Sequence, residues 1–543
     1  MKLYIKNQQT NIRGDLFGNA TPSIQIIEVQ NERGLIPINP WDIAHQAVKD
    51  TDGITFAEPL FDYQSEIGLP DTLIPTTNRG LFDSEAAISP FDEDWAAPEI
   101  ASIWHLEEVF SQLKAASDSV ASLPTVIRVA HFDTGYDPNH AARPPHIRTD
   151  LQRNFIGDED PFDATDPNIS SGLISNQGHG TGTGGILAGG IGRIPTDEMV
   201  QIGAAPFIEY VPIRVANSVV LLNTDSFVEA LRYVISLHDD PSTRIHVVSM
   251  SMGGLASQAC ADVINEAYEK GIFIVTAAGN NFGRATPRTL VYPARFNRVV
   301  AACGITYDKR PYSKRWGTEI KEMQGNYGPM VLMRTAMSAF TPNTPWATFQ
   351  SPDAVTVRGA GTSSATPQIA AAAAIYWKKY HDELITLEGW QQVEIIRQAL
   401  FGSAQRDALT GIEGDTLDDK KITFYFGKGH LRALEALQHT PASLLSSIQK
   451  EEDDEVYLAF WRVLFGTRSL FEAERSLDKP IENMYQIELK QLIAHSEKLQ
   501  HLLDNEEKTL NDFSNDELQK FINIIIQMPE SSESLKAFLR EVR

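Results

Sequence analysis

The chain has 543 residues, 42% of them apolar and 22% charged, with a formal charge of −24. That length exceeds one hydrophobic core and predicts several domains. The acidic balance excludes a general nucleic-acid binder and a protein held on an anionic membrane, since both need surplus Lys and Arg.

Residues 1–95 mix short apolar segments with turn residues and carry six basic against fifteen acidic residues. The opening "MKLYIKNQQTNIRGDLF" has lysines but no apolar stretch behind them, so no secretory signal is expected. No run reaches the ~18 apolar residues of a membrane span. The expected location is the cytoplasm. In "NPWDIAHQAVKDTDGITFAEPL" (39–60), a short helix from Trp41 carries Ala44 and Val48 on one side. It turns at Asp52-Gly53 into the strand "ITFAEPL". "RGLIPINP" is a further strand candidate, and "EIASIWHLEEVF" (99–110) a short helix.

From about 96 to 438, β-branched runs alternate with helical patterns. "VIRVAHF" (126–132), "IHVVSMS" (245–251), "GIFIVTAAG" (271–279) and "RVVAACG" (298–304) are expected as buried strands. "DSFVEALRYVISL" (225–237) and "SQACADVINEAYEKG" (257–271) are expected as helices. This alternation predicts an α/β fold with a mainly parallel sheet between helical layers, and a site at the carboxyl ends of the strands. Cys260 and Cys303, the two cysteines, lie in apolar surroundings and are expected as buried free thiols. Residues 439–543 differ: twelve basic and twenty acidic residues, few strand signals, and a helical stripe of Tyr485, Leu489, Leu492, Leu499 and Leu503. Ser514 and Glu517 form a capping box. This segment is expected to be an acidic helical domain whose stripe forms its own core or docks a partner.

Three stretches of the middle region hold hydrolase chemistry. In "VAHFDTGYDPNH", Asp133 follows an apolar strand; in "NQGHGTGTGGILAGG", His179 stands between glycines before a helix; in "GAGTSSATPQIAAAAAI", Ser363 and Ser364 open an Ala-rich helix. Each alone reads as a turn residue, a loop histidine and a helix cap. In the order Asp, His, Ser, on separate loops of one α/β domain, they match one known order of the Ser-His-Asp triad. Pro367 is expected in the first helical turn, where no hydrogen bond is lost.

These blocks resemble those of the subtilases, the subtilisin-like serine proteases of peptidase family S8. "DTG", "HGTGTGG" and "GTSSATP" are similar to the family's signatures around Asp, His and Ser, over roughly 120–438. The pattern Gly-Thr-Ser-x-Ala-x-Pro selects Ser363 over Ser364. "VTAAGNNFG" sets Asn280 on the oxyanion-hole asparagine, and "SMSMGG" (249–254) resembles the strand that pairs with extended substrate. The resemblance thus implies a three-layer subtilisin-like fold and a serine endopeptidase acting on polypeptides without a cofactor. Asp133, His179, Ser363 and Asn280 would be catalytic, and Ser251, Met252, Gly253, Ala277, Ala278 and Gly279 would bind substrate. "FYFGKGHLRALEAL" (424–437) resembles the closing strand and helix, and 39–64 the end of an I9-type inhibitory prodomain, which would make 1–95 a restraint on the cleft. Structural calcium would suit the acidic insert "GDEDPFDATDP" (157–167). The second block departs from the family in reading Gly-Thr-Gly after the first Gly-Thr, and "AMSAFTPNTPWATFQSPDAV" before Ser363 is a long cleft-shaping segment.

Two other readings stay open at this point. His131, Asp133, Asp137 and His140 are ligand types for a metallohydrolase. A catalytically silent subtilase fold could instead serve as a binding scaffold through its helical tail.

Overall fold

The structure, a computed structural model, describes residues 1–7, 23–29, 39–61, 92, 94–167, 176–218, 224–282, 288–314, 323–456, 478–496, 498–499 and 514–542. The chain begins with a three-stranded antiparallel sheet in the order β2-β1-β3, built from β1 (Lys2–Asn7), β2 (Ser23–Glu28) and β3 (Ile54–Leu60). Helix α1 (Pro40–Asp50) packs on it, with Pro40 in the first turn and the Asn39 side chain accepting the Trp41 N–H. "RGLIPI" of the strand candidate lies outside the described residues; its last two residues, Asn39 and Pro40, cap and open α1.

The main sheet has seven strands, all parallel, in the order β14-β12-β10-β9-β4-β8-β5. They are β4 (Arg128–Asp133), β5 (Arg153–Asn154), β8 (Glu209–Arg214), β9 (Val247–Met250), β10 (Phe273–Ala277), β12 (Val300–Ile305) and β14 (Ala336–Phe340). Three two-stranded ribbons complete the described strands: β6 (Ile191–Arg193) with β7 (Met199–Gln201), β11 (Asn280–Phe282) with β13 (Met323–Gly325), and β15 (Thr344–Ala347) with β16 (Val355–Gly359). Every residue of β4, β9, β10 and β12 is buried, as expected for parallel strands covered on both faces.

Helices α2 (Leu113–Val120), α3 (His179–Ala188) and α6 (Thr362–Leu384) lie on one side of the sheet, and α4 (Thr224–Leu237) and α5 (Gln258–Lys270) on the other. These are the three layers of the α/β fold expected from the sequence. Further on come α7 (Gly389–Ser403), α8 (Asp419–Phe426), α9 (Ala433–Ala436) and α10 (Pro441–Leu444), then α11 (Lys479–His495), α12 (Asn515–Gln527) and α13 (Glu533–Val542). Phe424–Phe426 corrects the expectation of a closing strand. Asp418 accepts the Lys421 N–H and starts α8, so these residues are helical, and only isolated bridges at Gly427 and His430 touch β14.

The N-terminal module sits on the α4–α5 side. Leu3, Tyr4, Ile5, Trp41, Phe56 and Leu60 share one apolar cluster with Phe227, Val263 and Ile264 and with Val456, Met484 and Ile487 from further along the chain. Ion pairs edge the contact: Lys2 to Asp225 at 2.6 Å and Glu229 at 3.0 Å, and Lys6 to Asp262 at 2.6 Å. The last helices also pack against it. Trp41 Nε1 donates to Gln491 Oε1 at 2.8 Å, and Asp42 accepts the backbone N–H groups of Glu533 and Ser534, both at 3.0 Å. Leu489, Leu492 and Leu499 of the helical stripe are buried with Phe521, Ile525, Leu535 and Leu539, and Tyr485 packs against that cluster. Leu503 lies outside the described residues.

Candidate active site

Asp133 is the last residue of β4 and His179 the first of α3, so the strand's carboxyl end and the helix's start bring them together. His179 Nδ1 lies 2.7 Å from Asp133 Oδ1, and the Thr134 backbone N–H donates to the same oxygen at 2.8 Å. The carboxylate is almost completely buried. Burial pushes its pKa up, but the neighbouring charge and hydrogen bond of His179, with His131 and the Thr134 N–H, hold it below the usual carboxylate range.

Ser363 is the second residue of α6, where helix N–H groups have no partner of their own. Its hydroxyl donates to the Ser251 carbonyl at 3.4 Å, and the Ser251 hydroxyl donates to the Ser363 carbonyl at 3.0 Å. The second bond corrects the expectation for Pro367. That proline lies past the first turn of α6, so the Ser363 carbonyl loses its helical donor, and Ser251 replaces it. Ser364 is fully buried and donates to the Ala360 carbonyl at 3.1 Å.

Asn280 opens β11. Its Oδ1 accepts the Thr362 backbone N–H at 2.8 Å and the Thr362 hydroxyl at 3.1 Å. A backbone N–H can only donate, so these contacts set the amide orientation and leave Nδ2 as the donor. The segments around Ser251 and Asn280 are joined across Val291 and Tyr292. The Gly254 N–H donates to Tyr292 O at 2.7 Å, and the Val291 N–H to Ala278 O at 3.0 Å. Gly253 and Gly279 both face Val291: a Cβ on either would meet its methyl groups at 2.4 and 2.9 Å. Ser251, Met252, Ala277, Ala278 and Gly279 are buried, and Gly253 is half-buried.

The departures in the second block each have a partner. A Cβ on Gly182 would stand 1.8 Å from the Trp346 ring, and one on Gly184 would stand 2.8 Å from the Tyr210 hydroxyl. Trp346 packs edge-on against His179 with centroids 5.4 Å apart. Thr183 Oγ1 lies 3.0 Å from Asp133 Oδ2 and 3.0 Å from His131 Nε2. The sequence reading did not single out Thr183, Tyr210, Trp346 or Thr362. A signal existed for Thr183, one helical turn after His179, and His131 shares a strand face with Asp133.

The four metallohydrolase candidates do not converge. His131 bonds Thr183 and Tyr210, whereas His140 bonds the Ala354 carbonyl and the Ala142 N–H, and Asp137 accepts from Asn139 and Gln350. The acidic insert is likewise committed. Glu159 pairs with Arg214 through both oxygens at 2.8 Å, Asp160 and Asp163 accept local backbone N–H groups, and Asp166 accepts the Gly178 N–H. Among the described residues, no cluster of three or more His, Cys, Asp or Glu could hold a metal ion, and no helix is long and apolar enough to cross a membrane. Cys260 and Cys303 are free and buried, and burial pushes both thiols up.

Residues 125–429 match the family described as the Subtilase family, peptidase S8. Subtilisin DY from Bacillus licheniformis is 26% identical over 272 residues, covering 50% of this chain and 82% of that protein. Subtilisin E from Bacillus subtilis is 24% identical over 357 residues, 65% of this chain and 76% of that one. Thermitase from Thermoactinomyces vulgaris is 25% identical over 313 residues, 58% and 88%. Among solved structures, a protease from Pseudoalteromonas arctica aligns with a TM-score of 0.47 and 21% identity, over 63% of this chain and 98% of that one. The chain belongs to the subtilase family, and it is a serine endopeptidase.

Proposed function

We propose that Ser363 is the nucleophile, His179 its general base and then the acid for the leaving amine, and Asp133 the group that orients His179 and stabilises its imidazolium. Asn280 Nδ2 and the Ser363 backbone N–H hold the tetrahedral oxyanion. The observation that carries this reading is the 2.7 Å contact between His179 Nδ1 and Asp133 Oδ1, which turns Nε2 away from the carboxylate as acceptor. The Ser363 hydroxyl leaves the Ser251 carbonyl and turns to His179 when substrate binds, since such bonds are often long in unliganded enzymes. Substrate lies extended along Ser251, Met252 and Gly253, with Ala277, Ala278 and Gly279 as the facing wall. No cofactor takes part.

The N-terminal module, residues 1–95 at the level of the sequence, restrains the cleft. The helical segment after 439 is a docking element for a protein partner, and the enzyme works in the cytoplasm. Fluorophosphonate labelling of the full-length protein, with the adduct mapped by peptide mass spectrometry, tests the nucleophile: the expected adduct is on Ser363, and one on Ser364 or none after removal of the N-terminal module overturns it. Partner recovery by the full chain but not by one ending at 438 tests the docking role.

A further inference from the structure

Asp133 uses one carboxylate oxygen on His179, and the other has a partner that the triad does not account for. Oδ2 lies 3.0 Å from Thr183 Oγ1; that oxygen lies 3.0 Å from His131 Nε2; and His131 Nδ1 lies 2.7 Å from the Tyr210 hydroxyl. Asp133, His131, Thr183 and Tyr210 are all at most 1% exposed. In so dry a site each proton must have a definite place.

The placement follows from the donors. Thr183 Oγ1 also lies 3.0 Å from the His179 carbonyl, but the ionised Asp133 is the stronger, charged acceptor, so Thr183 gives its single proton to Oδ2. The Thr183 oxygen can then only accept, so His131 carries its proton on Nε2. That leaves Nδ1 bare, and Tyr210 donates to it. Burial holds the His131 pKa down to about 4, so the ring is neutral at ordinary pH, as this order of donors requires. The chain runs Tyr210 to His131 to Thr183 to Asp133, every bond pointing toward the carboxylate. Its members come from three elements: His131 from β4, Thr183 from α3 and Tyr210 from β8. Gly184 leaves the space that the Tyr210 hydroxyl occupies.

We propose that Thr183, backed by His131 and Tyr210, is a positioning residue that anchors the second oxygen of Asp133 and so fixes the carboxylate's rotation toward His179. The inference rests on the triad reading above. Without Thr183, Oδ2 is left buried without that donor, and the carboxylate can turn so that its bond to His179 lengthens. A hydrogen bond to a charged group is strong enough for its loss to slow turnover by about 10-fold to 100-fold.

The test compares T183V, T183S and Y210F in the full-length protein, reading kcat and KM on a chromogenic peptide and the low-field proton NMR resonance of the His179–Asp133 bond. T183V keeps the shape and removes the hydroxyl; T183S does the reverse. The expected result is a lower kcat for T183V with KM within about twofold, recovery of most of that loss in T183S, and a smaller loss in Y210F. The low-field resonance moves in T183V and returns in T183S. If T183S falls as far as T183V, or T183V keeps its kcat and resonance, the relay is overturned. Should T183V not fold, an unmoved resonance and unmoved kcat in Y210F overturn the relay beyond Thr183, and a T183S variant that keeps the hydroxyl yet loses about 10-fold or more in kcat overturns the anchoring role. Failure of the triad reading is separate: it appears as a wild-type protein without a Ser363 adduct.

Discussion

Glu58, near the end of β3, accepts the backbone N–H of Gln258 at 2.9 Å. The same oxygen accepts the Ala259 N–H at 3.1 Å, and Ser257 accepts that of Cys260 at 3.2 Å. The first three N–H groups of α5, which have no partner within the helix, are thus satisfied, two of them by the N-terminal module. The other Glu58 oxygen is buried without a hydrogen-bond partner among the described residues.

That arrangement makes docking pH-dependent. Burial pushes the Glu58 carboxyl up from 4.5 to about 7, against the hydrogen bonds of Ala259, Ser257 and Gln258 and with the help of the Asp262 charge. The docked state therefore holds a proton that the undocked carboxyl has lost between these two values. Its contribution is fully present below 4.5 and is lost as pH rises through about 7. We predict that a chain cut between residues 61 and 92 retains its N-terminal piece at pH 5 and releases it at pH 8, read by gel filtration. E58Q, neutral at both, should flatten the dependence. Equal retention of the wild-type piece at both pH values would sink the idea.

Removing the proposed oxyanion donor should leave binding and damage turnover. N280A is expected to lower kcat by about 10²–10³ with a small change in KM. D133N, which would force the wrong His179 tautomer, is expected to cost about 10⁴. Steady-state kinetics on a peptide substrate check both, and an N280A enzyme as fast as wild type would remove Asn280 from the mechanism.

Gly182 has no room for a methyl group, because the Trp346 ring already occupies that place. G182A should lower stability by about 1–3 kcal/mol through overpacking and displace His179, with Ser363 labelling slowed. Replacing Trp346 by Ala in the same chain should restore labelling. If the double variant labels no faster than G182A, the clash is not the cause.

Asp42 caps α13 from a distant part of the chain, taking the Glu533 and Ser534 N–H groups and the Ser534 hydroxyl. D42A should cost about 0.5–2 kcal/mol and speed hydrogen exchange at amides 533 and 534. Unchanged exchange there would mean that α13 is held by its apolar face alone.

Much of the candidate site was legible because its residues carry local pattern. Asp133 ends an apolar strand, His179 opens one helix, and Ser363 is the second residue of another. The errors were also local. Pro367 was expected one turn too early, and 424–426 was expected as a strand from its resemblance to the family's closing strand, whereas the Asp418 cap starts a helix there.

The sequence by itself determined the α/β order of the middle region, because strand and helix periodicity is written in neighbouring residues; the candidate roles of Asp133, His179, Asn280 and Ser363, and the preference for Ser363 over Ser364, came from the resemblance of short loop motifs to the subtilase blocks. Only the tertiary structure decided that His131 and Tyr210 stand behind the Asp133 carboxylate, that Trp346 dictates Gly182, and that Glu58 and Asp42 cap helices 200 and 491 residues away. A helix start needs acceptors but does not specify from where in the chain they come; that choice is made when packing brings distant elements into contact.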